Sequence, residues 1–280
     1  MHVKEVMKVS KINKNFFEFK NITETSADLY IYGEIVFEKS TNWWTGKESE
    51  TEVGLNDFKD QLESLGNIKI LNLYINSPGG DVFVASTMAS LLTRLKDSGV
   101  TVKAYVDGIS ASAASFFMMA ADEINLYKNS IVMIHKPMTF AWGNSNDMQK
   151  VIDSLEKIED GVMIPLYMNH AKSSEEKIKE LIVAESWLSA SEVDEHFDVI
   201  LLDEKKVAVA KIDSNLYAKY KNVPSFIKEI TNSNSVVPEK LESPKIDASS
   251  DDSEEKQIKA KLGLIKNSLI IKNLKEKGEE

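Results

Sequence analysis

Apolar residues along the chain alternate between short runs typical of strands and stretches with helical spacing. Residues 27–37 are apolar, aromatic and β-branched, which predicts a strand. Residues 55–66 place leucines and a phenylalanine three or four positions apart and end at a glycine, which predicts a helix. Because this alternation continues to about residue 202, the sequence predicts an α/β fold with a largely parallel sheet.

The other predicted elements follow the same pattern. We expect Pro165 to kink the longest helix, and Ser173 or Ser174 to open the helix after it as an N-cap. The remaining predicted strands cover 68–76, 100–108, two short stretches within 123–137, and 207–212; the remaining helices cover 82–99, 110–121, 146–171, 173–183 and 189–200.

The composition changes after about Ser233, where aromatic residues disappear and prolines and charges become frequent. This change predicts a disordered linker (231–257) followed by a basic amphipathic helical tail (258–280). The main domain would then cover residues 27–230, and the residues before its first predicted strand would form an N-terminal extension (1–26). One face of the tail helix would carry its apolar residues, which are Ile258, Leu262, Ile265 and Leu269. A helix this short is marginal alone, so we expect it to fold against a partner.

Composition and charge exclude several classes of function. The formal net charge of the 280 residues is −10, which disfavours binding to nucleic acid or anionic membranes. The chain has no cysteine, so disulfides and Cys-ligated metals are excluded. The charged N-terminus lacks an apolar leader, and no apolar run is long enough to span a membrane, so we expect a cytoplasmic protein.

Four short motifs contain residue types that catalyse acyl transfer. "SPGGD" is a glycine turn after a strand, and its free N–H groups can face an oxyanion. "DGISASAAS" places Ser110, Ser112 and Ser115 at the start of an apolar helix. "IVMIHKP" carries His135 and "VAESWLSASE" carries Glu185. Each motif alone is more often structural, but their order supplies oxyanion donors, nucleophile, base and orienting carboxylate.

These motifs resemble the Clp protease proteolytic subunit family, and in detail the ClpP-like head maturation (prohead) proteases of tailed phages and prophages. The similarity rests on "YINSPGGDV", "VDGISASAAS", "NSIVMIHKP" and "WLSASE" and runs from about Ala27 to about Leu202. The resemblance implies that Ser112 is the nucleophile, His135 the base and Glu185 the third triad member. The family normally has aspartate at the last position, so Glu185 is a departure.

The same resemblance implies the rest of the site and the architecture. The backbone N–H groups of Gly80 and Ala113 would form the oxyanion hole, and Gly79 and Gly143 would line the substrate groove. The fold would be the β-β-α spiral shared with crotonases, with residues 138–171 as a protruding helical handle that joins two rings. The site would need no metal or cofactor.

The resemblance also implies partners. A head maturation protease would assemble into ring-shaped homo-oligomers and cleave scaffold and major capsid proteins inside the procapsid. A housekeeping subunit would instead degrade proteins unfolded by a Clp ATPase, because the chain itself has no P-loop. We expect the head maturation role. Cleavage specificity, ring size and self-removal of the tail are not determined by the sequence.

Three alternatives stay open at this stage. A crotonase-type acyl-CoA enzyme would share the fold and the oxyanion N–H groups but would need neither Ser112 nor a His–carboxylate pair. A Ser–Lys peptidase would use Lys103 or Lys136 as its base. An inactive structural shell protein would need none of these residues.

Overall fold

A computed structural model describes residues 19–20, 25–203 and 220–225. All of them fall within a compact unit that runs from Met1 to Asn234. The predicted linker (231–257), tail helix (258–280) and strand 207–212 lie outside the described residues. So does most of the predicted extension, in which Phe19–Lys20 forms a short strand.

The described residues form an α/β structure with a mainly parallel sheet, which confirms the predicted fold class. The strands are β1 (Phe19–Lys20), β2 (Ser26–Tyr32), β3 (Glu34–Val36), β4 (Glu52–Gly54), β5 (Ile70–Ser77), β6 (Thr101–Ala111), β7 (Glu123–Tyr127), β8 (Ile131–Ile134), β9 (Ser186–Ser189) and β10 (Ile200–Leu202). The main sheet has eight strands, in the order β1-β2-β5-β6-β7-β10, with β8 paired to β6 and to β9, while β3 and β4 form a separate pair.

Strand β6 determines how the sheet turns. Its first half pairs with β7 through residues 103–106, and its second half pairs with β8 through residues 109–111. The change of partner lies beside Gly108, where the buried Asn76 side chain accepts a hydrogen bond from the Ile109 N–H at 3.2 Å. As a result, the carboxyl ends of β5, β6 and β8 come together at one edge of the sheet.

Seven α-helices in the described residues cover the sheet or extend from it. Helix α2 buries a stripe from Val84 to Leu92 and begins at Asp81, whose carboxylate accepts the N–H groups of Phe83 and Val84. Helix α3 is buried along its whole length. The helices are α1 (Leu55–Ser64), α2 (Val82–Asp97), α3 (Ala113–Met118), α4 (Ser145–Ile158), α5 (Ile164–Met168), α6 (Glu175–Val183) and α7 (Ala190–His196).

The predicted first strand (27–37) is divided by Gly33 into β2 and β3. Gly33 has a φ of 125°, and a Cβ added there would lie 2.3 Å from the Thr51 carbonyl oxygen. The prediction of one continuous strand is therefore wrong.

The predicted helix 146–171 is also divided. A π-helical turn, Glu159–Met163, separates α4 from α5, and Pro165 lies in the first turn of α5. Proline cannot donate an N–H to the helix ladder, so a change of hydrogen-bond pattern at this point is expected.

Two further differences concern short strands that were not predicted and the serine that begins α6. Strands β9 and β10 were missed because each has only four or three residues. Ser174 is the N-cap of α6, which decides the choice between Ser173 and Ser174. Within the described residues, no helix is long and apolar enough to cross a membrane.

Candidate active site

Two of the predicted catalytic residues lie directly after neighbouring parallel strands. Strand β6 ends at Ala111, which pairs with Met133 of β8, and the Ser112 N–H donates to the Met133 carbonyl at 2.9 Å. Ser112 follows β6, and His135 follows β8. The parallel register therefore brings the serine and the histidine together although 23 positions separate them.

Ser112 and His135 form a direct hydrogen bond. The Ser112 Oγ lies 2.7 Å from the His135 Nε2, and the histidine is 6% exposed. Ser112 has a backbone φ of 53°, a value that residues other than glycine rarely adopt, and it immediately precedes α3. A serine on such a strained strand-to-helix turn presents its Oγ at the edge of the sheet, as a nucleophile requires.

The glycine turn lies against the serine. A Cβ added at Gly79 would lie 2.7 Å from the Ser112 Cβ and 2.8 Å from the Ala113 nitrogen, so glycine is required for this approach. On its other side the turn bonds to β3: the Ile35 N–H donates to the Gly79 carbonyl and the Asp81 N–H donates to the Ile35 carbonyl.

These contacts orient the two predicted oxyanion donors. In the parallel bridge between Gly80 and Ile35, the N–H of Gly80 points away from β3. Ala113 is the first residue of α3, so its N–H has no partner within the helix. The two N–H groups thus belong to adjacent backbone segments beside Ser112, an arrangement that suits an oxyanion hole.

Glu185 lies at the end of the strand that pairs with the histidine strand. The antiparallel register ends with Ile134 opposite Ser186, so Glu185 comes next, on the side of His135. Its φ is 52°. Among the residues that the structure describes, Glu185 and Ser112 are the only non-glycine residues with a positive φ. Its Oε1 accepts the N–H groups of Lys221 at 2.7 Å and Asn222 at 2.6 Å.

Tyr220 is a site residue that the sequence reasoning missed. Its hydroxyl donates to the Pro78 carbonyl at 3.1 Å, which ties it to the glycine turn beside Ser112. Its ring lies 5.2 Å, centre to centre, from the His135 ring in an edge-on arrangement. Burial raises the pKa of Tyr220 to about 12. No motif marks this tyrosine, since it lies 85 positions beyond His135.

The other serines of the motif have different environments. Ser115 is fully buried, and its Oγ lies 2.6 Å from both the Ser112 carbonyl oxygen and the Tyr167 hydroxyl. Ser110 is also fully buried and pairs with Ser77 in the sheet. Ser115 thus bonds to the Ser112 backbone and Ser110 lies within the sheet, whereas Ser112 is only partly buried.

The lysines proposed as alternative bases form ion pairs elsewhere. Lys103 lies 3.1 Å from Glu123 in the middle of the sheet, and Lys136 lies 2.9 Å from Glu159 on the π-helical turn. Gly143 lies immediately before the α4 N-cap, where its nearest neighbour is the Asp147 side chain. Within residues 25–203 and 220–225, no group of three or more His, Asp or Glu side chains is arranged to hold a metal ion.

Comparison with known proteins agrees with this geometry. Residues 56–196, about half of the chain, match the Clp protease family. The chain belongs to the Clp protease family. The match includes Ser112, His135, Glu185 and the glycine turn.

Three relatives, each named an ATP-dependent Clp protease proteolytic subunit, show how distant the similarity is. The Bacteroides fragilis protein is 26% identical over 137 residues, which are 48% of this chain and 64% of the relative. The Bacteroides thetaiotaomicron protein is 22% identical over 187 residues, 66% of this chain and 82% of the relative. Subunit 2 of Treponema denticola is 28% identical over 137 residues, 48% of this chain and 66% of the relative. The chain thus spans slightly less than two thirds of the Bacteroides fragilis relative.

Proposed function

We propose that the protein is a serine endopeptidase with Ser112 as nucleophile and His135 as general base. The observation that carries this proposal is the 2.7 Å contact between the Ser112 Oγ and the His135 Nε2 beside a glycine turn. A serine hydroxyl is a weak nucleophile until a base accepts its proton, and the contact provides that base.

The reaction follows from this arrangement. The Ser112 Oγ attacks the scissile carbonyl while its proton passes to the His135 Nε2, and the Gly80 and Ala113 N–H groups stabilise the resulting oxyanion. The protonated His135 then gives its proton to the leaving amine, which leaves an acyl-enzyme. Water activated by His135 hydrolyses the ester and regenerates Ser112.

Glu185 completes the proposed triad. A carboxylate that accepts the His135 Nδ1–H fixes the tautomer and stabilises the imidazolium. The Lys221 and Asn222 N–H groups both bond to Oε1, so a bond from Oε2 to the histidine is compatible with them.

A fluorophosphonate probe tests the proposal. We expect it to label Ser112, as located by peptide mapping, and expect the Ser112→Ala variant to remain unlabelled. The protein should also cleave unstructured peptides. Hydrolysis of an acyl-CoA thioester without peptide cleavage would favour the crotonase alternative, and absence of both labelling and cleavage would favour an inactive shell protein.

We further propose a homo-oligomer joined through the handle. Helix α4 has no buried residue, yet Met148, Val151, Ile152 and Leu155 form an apolar stripe along it, with Ile152 47% exposed. A second copy of the chain could cover this stripe. We expect Ile152→Glu to lower the mass measured by light scattering, whereas Gln149→Glu on the polar face should leave it unchanged.

For the biological role we propose head maturation, in which the protease cleaves scaffold and capsid proteins within a procapsid. The detailed motif resemblance supports this role. The names of the three relatives support an alternative, in which a Clp ATPase delivers unfolded substrates. The alternatives are separable: the first predicts cleavage of co-expressed capsid protein without ATP, and the second predicts degradation of folded substrates only with a Clp ATPase and ATP.

The C-terminal tail would serve the first role as a tether. Its proposed helix, 258–280, would dock onto scaffold or capsid protein through the face carrying Ile258 and Leu262. We expect truncation after Thr231 to preserve cleavage of short peptides and to reduce cleavage of the assembled substrate. Loss of the oligomer on truncation would place the tail within the fold instead.

A further inference from the structure

Residues 220–225 lie against the candidate site and are held there by both hydrogen bonds and apolar packing. Tyr220 and Val223 pack with Ile109, Ala111 and Met133 in a small apolar cluster separate from the main core. The Trp187 ring of β9 lies 5.9 Å from the Tyr220 ring. The segment is therefore part of the wall around Ser112 and His135.

Glu185 and its neighbour fasten this segment. Both Lys221 and Asn222 donate their backbone N–H groups to the Glu185 Oε1, and the Asn222 side-chain amide donates to the Ala184 carbonyl at 3.0 Å. Glu185 adopts a left-handed backbone conformation directly after α6, a position that glycine usually occupies. Glycine would avoid this strain but has no side chain, so it could not accept the Lys221 and Asn222 N–H groups as Glu185 does.

The Tyr220 hydroxyl is fastened to the glycine turn. With its pKa raised to about 12, the phenol stays protonated at any physiological pH. Its proton bonds to the Pro78 carbonyl at 3.1 Å, and Gly79, the next residue, packs against the Ser112 Cβ. The hydroxyl therefore holds the turn against the serine, while the ring lies against the histidine.

We propose that Tyr220 is a positioning residue, whose hydroxyl holds the glycine turn at Pro78 against Ser112 and whose ring fixes the His135 imidazole, with Glu185 anchoring the segment that carries it. The role goes beyond the family match, which ends at residue 196. It rests on the proposed function of Ser112 and His135.

The first test replaces Tyr220 by phenylalanine, which keeps the ring and removes the hydroxyl. We expect kcat on a peptide to fall about tenfold, as expected for one lost hydrogen bond, with KM within about twofold of wild type. The rate of fluorophosphonate labelling should fall by a similar factor. Tyr105→Phe, which removes a hydroxyl from the tyrosine stack on the sheet, is the matched control and should change neither rate.

A second readout does not depend on activity. Because the bond from Tyr220 holds the Pro78 carbonyl, its loss in Tyr220→Phe should increase hydrogen exchange of the peptide that covers the glycine turn, residues 77–81. The same peptide in Tyr105→Phe should exchange at the wild-type rate. An unchanged Tm would show that the fold is intact. Inactive, unlabelled wild type would overturn the proposed function, whereas exchange of the glycine turn would still decide the role of Tyr220.

The anchoring role of Glu185 is tested separately, by hydrogen exchange of the peptide that covers residues 220–223. Glu185→Ala removes the acceptor and should abolish protection of the Lys221 and Asn222 amides. Glu185→Gln keeps a carbonyl oxygen and should preserve most of it. The proposal is overturned if Tyr220→Phe leaves both the rate and the exchange of the glycine turn at wild-type values, if it raises the rate, or if Glu185→Ala leaves the amides protected.

Discussion

The two halves of the candidate site are held by different forces. Ser112 and His135 follow adjacent strands whose register continues into the main sheet, so the backbone ladder fixes their separation. In the other half, the Glu185 carboxylate accepts the backbone N–H groups of Lys221 and Asn222 and so holds the segment that carries Tyr220. The serine–histidine pair should therefore tolerate changes elsewhere, whereas the Glu185–Tyr220 half depends on a few individual groups.

The halves share one feature, which is backbone strain. Ser112 and Glu185 both have φ values near 50° without being glycine. Such conformations cost free energy and persist where the surrounding structure requires them. In the first half the strained residue carries the Oγ that contacts His135, and in the second it carries the carboxylate that bonds to residues 221 and 222.

The largest expected effect is in the first half. Ser112→Ala should reduce kcat by about 10⁶-fold, since it removes the attacking atom, and His135→Ala should be nearly as damaging. Peptide hydrolysis measures both losses. Ser110→Ala serves as the control because this buried serine pairs within the sheet and should retain most activity. If Ser110→Ala abolishes hydrolysis and Ser112→Ala does not, the nucleophile is misassigned.

The next effect sharpens the role of Glu185. Glu185→Gln should lower kcat by about 10⁴-fold if the carboxylate stabilises the imidazolium, by analogy with loss of a triad carboxylate charge. Glu185→Asp should be milder because the charge remains. Near-normal kcat in Glu185→Gln, together with intact exchange protection at residues 221–222, would reduce Glu185 to an anchor.

The glycine turn gives a smaller, steric test. Gly79 and Gly99 have φ values of 90° and 94°, but a Cβ would meet three atoms within 2.8 Å at Gly79 and none within 4 Å at Gly99. Gly79→Ala should thus displace Ser112 and lower kcat by about 10²-fold or more. Gly99→Ala should cost only about 1–2 kcal/mol of stability and leave kcat unchanged. Equal kinetics in the two variants would argue against close packing of the turn on Ser112.

The smallest effect concerns alkaline pH. Burial raises the pKa of Tyr220 from 10.0 to about 12, so its stabilising contribution is complete below about pH 10 and is lost as pH rises to 12. The free energy of unfolding of wild type should fall over this range by up to roughly 3 kcal/mol more than that of Tyr220→Phe. Parallel pH profiles would indicate that the phenol is not buried at the site.

The sequence by itself predicted the α/β fold and singled out the serine and the histidine that the structure brings into contact. Strand and helix periodicity is local, and four ordered motifs are readable without coordinates. The sequence also indicated Glu185, but as a histidine partner alone. It did not reveal the break at Gly33, because the clash that requires glycine comes from Thr51, a residue distant in the chain.

The tertiary structure alone decided which distant segment completes the site. Tyr220 carries no motif, and its contact with Pro78 spans 142 positions. Nothing local to residues 220–225 predicts that their N–H groups bond to Glu185. Strand register could be anticipated because it follows from repeating backbone geometry. The bonds between the Glu185 carboxylate and the backbone of residues 221 and 222 follow no repeating pattern in the sequence, so only the folded chain shows them.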